Sequence, residues 1–174
     1  MSADRRAILI DRLDEGQLDL ALLLHDCRRS DAQIIATLPM AWIGPGQGKL
    51  EWAPDEPLPL AVFNPPCFFH ETTIAALDRA SIPWHISFTS PSLHGLWAAV
   101  DAGLGVTVRT AEGLPNRLLI LPKSFGLPPL ATTQLSLHDA GRELTPATAR
   151  FKEILLETLA ANLPAASKVK RNFT

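Results

Sequence analysis

Four features of this sequence carry residue types that could do chemistry. The first is the segment Asn64 to His70 (NPPCFFH), which sets a thiol, Cys67, three residues ahead of an imidazole, His70, near the expected start of a helix. A helix N-terminus can lower a thiol pKa, and a cysteine nucleophile is activated in that way. A Cys-His enzyme usually also needs an orienting Asn or Asp and an oxyanion hole. Neither has a signature here, so a packed or ligand-lining cysteine is the favoured reading. The second feature is Thr89 to Ser92 (TSPS), where hydroxyls and free backbone N–H groups meet at a helix start, a combination suited to a carboxylate or another small anion. Ser90 followed by Pro91 is equally the pattern of an ordinary N-cap with proline at the first helical position, and both readings stay open. The third is Leu23 to Asp26 (LLHD), a loop that follows the opening strand. The fourth, Gly103-Leu104-Gly105, lacks the third glycine of a dinucleotide fingerprint and precedes a strand, so it reads as a helix stop.

Other chemistries are excluded or disfavoured. His25, His70, His85, His94 and His138 show no His-x-x-x-His or His-Glu-x-x-His spacing, so no metal site is expected. Cys27 and Cys67 form no Cys-x-x-Cys pair and give little support to a disulfide framework, which fits a reducing cytoplasm. No cofactor is implied. Sixteen Lys and Arg against eighteen Asp and Glu leave a formal charge of -2, without the basic surplus that unguided phosphate binding needs. No secretory signal or segment of transmembrane length is visible. With 47% hydrophobic residues in 174, the chain can bury a core as one domain or two small lobes.

The elements that must position these residues alternate. A helix is expected from about Asp4 to Glu15, capped by Ser2, with Ile8, Leu9 and Leu13 on its apolar face and Gly16 as its stop. Leu18 to Leu24 (LDLALLL) reads as a strand covered on both faces, as in a parallel sheet. After a second apolar run, Leu38 to Gly44, the Gly- and Pro-rich stretch to Pro59 reads as a surface connection. Leu60 to Phe63 is then a strand, followed by a helix to Ala80 with Ile74, Leu77 and Ala80 facing inward. Trp84 to Thr89 is a strand, and the helix after it has Leu93, Leu96, Trp97 and Val100 on one face, Gly103 as its end and Gly105 to Arg109 as the returning strand. Asn116 to Pro122 and Thr132 to Asp139 are further strands. Thr145 and Pro146 open a last helix whose buried stripe is Phe151, Ile154, Leu155 and Leu159. Trp42 and Trp97 read as core residues. The class is α/β, and such folds bind ligands where strand ends lead into helix starts.

Phe88 to Thr110 (FTSPSLHGLWAAVDAGLGVTVRT) resembles the central segment of the effector-binding domain of LysR-type transcriptional regulators. Asp14 to Leu22 (DEGQLDLAL), Pro57 to Trp84 and Leu144 to Leu155 resemble further pieces of that domain, in the same order. The resemblance covers nearly everything from Arg5 to Leu163. It implies a type 2 periplasmic-binding-protein-like fold, two α/β lobes joined by two crossing strands, with a small effector in the cleft between them. The first lobe would hold residues 1–43 and 138–174, the second residues 44–137. By position, the family's ligand-binding residues fall on Asn64, Cys67 and Phe68, on Thr89, Ser90 and Ser92, and on Thr107 or Arg109. His70 stands where many relatives carry Arg, replacing a permanent charge with a titratable one.

The resemblance further implies that the chain starts at the second helix of the first lobe, without the winged helix-turn-helix, the linker helix or the lobe's opening strand, helix and strand. Such a chain would not bind DNA directly or meet a membrane. Its incomplete first lobe would favour a homo-oligomer or pairing with a full-length regulator. The expected partner is a small-molecule effector such as a carboxylate. The alternatives on the same fold are an enzyme or a transporter's solute-binding protein acting on a small carboxylate.

Overall fold

The computed structural model describes residues 6–24, 32–46, 50, 52–53 and 55–163. Its elements run α1 (Arg6–Asp14), β1 (Leu20–Leu24), β2 (Gln33–Pro45), β3 (Leu58–Phe63), α2 (Phe68–Arg79), β4 (Trp84–Ser90), α3 (Leu93–Asp101), β5 (Thr107–Thr110), β6 (Leu118–Ile120), β7 (Thr132–Asp139) and α4 (Pro146–Asn162). The fold is mixed α/β. Two compact units are present, residues 1–38 with 132–174 and residues 39–131. β2 is thirteen residues long and contributes to both.

In the first unit the sheet order is β1, β7, β2, and β1 pairs antiparallel with β7. Ala21 and Leu23 of β1 pack against Leu13, Leu9 and Ile10 of α1. Leu24, Ala36, Leu38 and Leu135 gather with Leu159 of α4 and Leu163. Both helix starts and stops follow local chemistry where they are described. Gly16 ends α1 in a left-handed conformation, φ 71°, which glycine adopts without a Cβ clash. The Thr145 side chain caps α4 by accepting from the Thr148 N–H at 3.2 Å, and Pro146 occupies the first turn, where its missing N–H costs no helical bond.

Three expectations for this unit fail. β1 is not covered on both faces: its burial alternates, and Leu22 keeps 38% of its surface exposed, because among the described residues the strand pairs with antiparallel β7 and packs α1 against the face of Ala21 and Leu23. The buried stripe of α4 is not buried. Phe151 and Ile154 are 50% and 46% exposed, and contact with the core begins only at the C-terminal turns, where Leu159 packs. Ile8 is exposed and Ile10 takes its place against the sheet. The expected Ser2 cap lies outside the described residues, as do Cys27 and the His25-Asp26 part of the third loop.

In the second unit, β3 and β4 pair in parallel, with Leu60 opposite Ile86 and Phe63 opposite Ser90. Val106, just before β5, bridges Leu60, also in parallel, through Ala61 N–H to Val106 O and Val106 N–H to Pro59 O, both 2.9 Å. β5 and β6 each pair antiparallel with β2. The core gathers Leu96, Trp97, Ala99 and Val100 of α3 with Ala61, Ile43 and Leu118. Leu93 of the expected helical face is exposed, since it sits in the first turn of α3. On α2, Phe69, His70, Thr73, Ala76 and Leu77 face inward, while Ile74 is half-buried and Ala80 exposed. Gly105 is needed for a close approach: a Cβ there would lie 2.6 Å from Pro59 O, against the backbone β3 uses to pair with Val106.

Candidate functional site

Because β3, β4 and β5 run the same way, their carboxyl ends share one edge of the second unit. Phe63 and Asn64, Ser90, and Arg109 stand at those ends, and α2 and α3 both begin there. The Asn64 N–H donates to Ser90 O at 3.3 Å, so the two loops that lead into these helices are in direct contact.

The hydroxyl loop is largely satisfied from within. Ser92, not Ser90, is the N-cap of α3, and its Oγ accepts from the Gly95 N–H at 3.1 Å. The buried Ser90 Oγ accepts from the Ser92 N–H at 3.1 Å and donates to Ser92 O at 2.9 Å. The helix therefore starts two residues later than the Ser-Pro pattern suggests: Ser90 still belongs to β4, and its side chain closes the turn that Pro91 opens. Gly95 lets this network form, since a Cβ there would come within 2.5 Å of Ser90 Oγ. Thr89 is exposed beside Val62 in the β3–β4 ladder.

Around the other loop, Cys67 is the N-cap of α2, half-buried, a free thiol, and makes no capping hydrogen bond. Phe68 opens the helix, its ring 5.4 Å from that of Phe69 and tilted against it. His70 is buried, with Nδ1 3.1 Å from Phe63 O. Cys67 and His70 also line a cavity of about 350 Å³ along α2, with Pro65, Glu71, Ile74, Ala75 and Asp78. Thr107 is buried in β5 opposite Ile43.

Arg109 has a different environment. Its guanidinium carbon lies 4.1 Å from the centroid of the Phe63 ring and 4.5 Å from that of Phe69. A guanidinium over ring faces is attracted by their quadrupoles. Its Nε is enclosed and has no hydrogen-bond partner. Burial pulls the pKa of Arg109 down to about 10, against a smaller opposing effect of nearby Cys67. Glu112, three residues on, has its own Oε2 enclosed and unpartnered. The structure thus brings Asn64, Ser90 and Ser92 together, and Arg109 beside Cys67, while His70 is held by the backbone of Phe63. Phe63, Phe69 and Gly95 were not singled out by sequence reasoning. Only the parallel bridge of Leu60 to Val106, which sets β5 next to β3, puts Arg109 within reach of both rings, and no local pattern announces it. Among the described residues no cluster of His, Cys, Asp and Glu could hold a metal ion, and no helix is long and apolar enough to cross a membrane.

The LysR substrate binding domain family matches residues 2–160. The chain belongs to that family. This LysR domain is 33% identical over 150 residues to the HTH-type transcriptional regulator PecT of Dickeya dadantii (strain 3937), covering 84% of this chain and 47% of that protein. It is 33% identical over 146 residues to the HTH-type transcriptional regulator DgdR of Burkholderia cepacia, covering 83% of this chain and 49% of that protein. The LysR domain therefore spans about half the length of the curated relatives it matches. In fold it is similar to the regulatory domain of HypT from Salmonella typhimurium, with a TM-score of 0.75 at 18% identity over 93% of this chain and 82% of that one. LysR regulatory domains are a non-enzymatic family whose members bind small effectors and oligomerise. The Cys67 nucleophile reading falls with that membership.

Proposed function

We propose that this chain is the effector-sensing part of a LysR-type transcriptional regulator, and that the strand-end edge of its second unit forms one wall of the effector site. The contact between Asn64 and Ser90 carries the reading, because it joins two strand-to-helix loops at the place where α/β sheets bind ligands. The first-turn N–H groups of α3, at Leu93 and His94, add donors that a helix start leaves without helical partners. A small metabolite bound there acts through its differential affinity for two arrangements of the domain, and the shift passes to DNA-binding parts of a complete regulator. The likeness to PecT and DgdR supports the regulatory role. The setting is cytoplasmic, and the working unit is an oligomer of this chain or a pairing with a full-length regulator.

The test is a titration of the ¹⁵N-labelled chain with small carboxylates, amides and sugars. Effector binding is expected to move the amide signals of Asn64, Ser90, Leu93 and His94 together and to raise the melting temperature. A rise in melting temperature with those amides unmoved would place the site elsewhere. Indifference to every probe at millimolar concentration would refute the sensing role.

A further inference from the structure

We infer that the open edge of β1 is an interface between two copies of this chain: β1 pairs antiparallel with the β1 of a second copy, in register about a two-fold axis at Leu22. The inference rests on the oligomeric working unit proposed above and says where the copies meet. Its basis is the direction of the backbone groups. In an antiparallel ladder alternate residues exchange bonds with the partner strand, and the residues between them point the other way. The Ala140 N–H donates to Asp19 O at 3.0 Å, and the same alternation continues with Ala21 opposite His138 and Leu23 opposite Ser136. The carbonyl of Asp19 and the backbone groups of Ala21 and Leu23 therefore turn to β7. The N–H and C=O groups of Leu20, Leu22 and Leu24 point to the other edge, where no strand among the described residues receives them.

Self-pairing satisfies these groups without a shift of register. Leu22 then faces the partner's Leu22, Leu20 faces the partner's Leu24, and Leu24 faces the partner's Leu20. Each pair exchanges both of its N–H···O bonds, so every outward group of the strand is used. The side chains fit the same arrangement. β1 is Leu-Ala-Leu-Leu-Leu in unbroken register, without the charge, proline or bulge that keeps an edge from pairing. Asp19, which flanks it, is already paired with Arg142 at 2.7 Å. Leu20, Leu22 and Leu24 share the face opposite α1, which packs on Ala21 and Leu23. α4 lies on that face: Lys152 Nζ meets Asp139 Oδ2 at 3.1 Å opposite Leu20, and Leu159 packs with Leu24. The helix thus runs in the direction of β1, and its right-handed turn sets Phe151 and Ile154 on the flank away from β7, beside the open edge. Phe151, Ile154 and Leu22 are all exposed, and α4 buries no residue. A second copy brings the same three side chains to the other side of the axis, the self-complementary patch that a two-fold contact requires. An apolar partner that offered no strand would leave the edge groups unmet.

The experiment measures the mass of the whole chain by sedimentation at micromolar and at submillimolar concentration, with amide hydrogen exchange at both. A dimer is expected at the higher concentration. In it the Leu20, Leu22 and Leu24 amides are protected, and in the monomer they exchange fast, while Ala21 and Leu23, bonded to β7, stay slow throughout. Leu22→Pro leaves the β7 ladder untouched, since the Leu22 N–H is not part of it, and should raise the dissociation constant at least about a hundredfold. Leu22→Lys sets two like charges together on the axis and should raise it about tenfold or more with an unchanged far-UV spectrum. A dimer whose three leucine amides stay fast, or one that both variants leave intact, would overturn the inference while the oligomeric reading stands. Protection of those amides in a monomer would mean that the chain covers its own edge, and would overturn it too. A monomer at every concentration would remove the inference together with the homo-oligomer, while the effector site is judged by its own titration.

Discussion

Replacing Arg109 by methionine should make the ligand-free chain more stable. Methionine keeps much of the length and the contact with Phe63 and Phe69 while removing the enclosed charge. The displacement of the Arg109 pKa to about 10 corresponds to about 3 kcal/mol against the folded state at pH 7. Partial exposure to solvent reduces this to about 2 kcal/mol. The two cation–π contacts oppose it with about 0.5 kcal/mol each. The net gain for Arg109→Met is about 1 kcal/mol, or about 2–4 °C in melting temperature for a chain of this size. The sign of the pH dependence follows from the lowered pKa. Below pH 10 both folded and unfolded chains hold the proton and the cost of the buried charge is present in full. As pH rises through about 10 the folded chain releases the proton while the unfolded chain keeps it, so the wild type gains on the variant. Thermal unfolding of both proteins between pH 7 and 11 measures this. A variant that melts below the wild type at pH 7, or a difference that stays constant up to pH 11, would show that the charge of Arg109 is compensated by the fold and would refute the reasoning.

Other substitutions test the frame of the site. Ser92→Ala removes the α3 cap and should cost about 1 kcal/mol in urea unfolding, while Ser92→Thr, which can still accept from the Gly95 N–H, should cost less. Gly95→Ala brings a Cβ within 2.5 Å of Ser90 Oγ and should cost about 1–3 kcal/mol and displace the Ser90 amide signal; an unchanged spectrum would show that the loop has room to spare. Leu96→Ala, at a fully buried position of the second core, should cost about 2–5 kcal/mol, and a loss below that range in calorimetry would mean that the core closes over the gap. Phe63→Leu removes one ring from Arg109, so the chain should lose about 0.5–1 kcal/mol beyond the lost apolar area, which a comparison with Phe63→Leu in the Arg109→Met background resolves in urea unfolding.

The sequence made α3 legible because its signals are local: apolar spacing at Leu96, Trp97 and Val100, and Gly103 at its end. Its start was misread by two residues because Ser90 and Ser92 are both cap-forming types, and only the turn geometry shows that Ser90 is still in the strand. β1 reads as covered on both faces and α4 as having a buried stripe, because neither an apolar run nor an apolar spacing says how many neighbours the fold supplies. Leu22, Phe151 and Ile154 are apolar and exposed all the same. The strand-end loops that hold Asn64 and Ser90 can be found from the βα alternation. The Phe63, Arg109 and Phe69 stack could not be, since its members lie on three elements brought together by strand order, which no spacing along the chain encodes.

The placement of β7 bears on the order in which the protein is made. Among the described residues β1 pairs with β7 alone, over a hundred residues later, and the sheet they form cannot assemble until Thr132–Asp139 has been synthesised. All strands of the second unit precede that point. On the ribosome, then, the unit that carries Asn64, Ser90 and Arg109 can take shape first, while β1 waits for a partner strand made more than a hundred residues later.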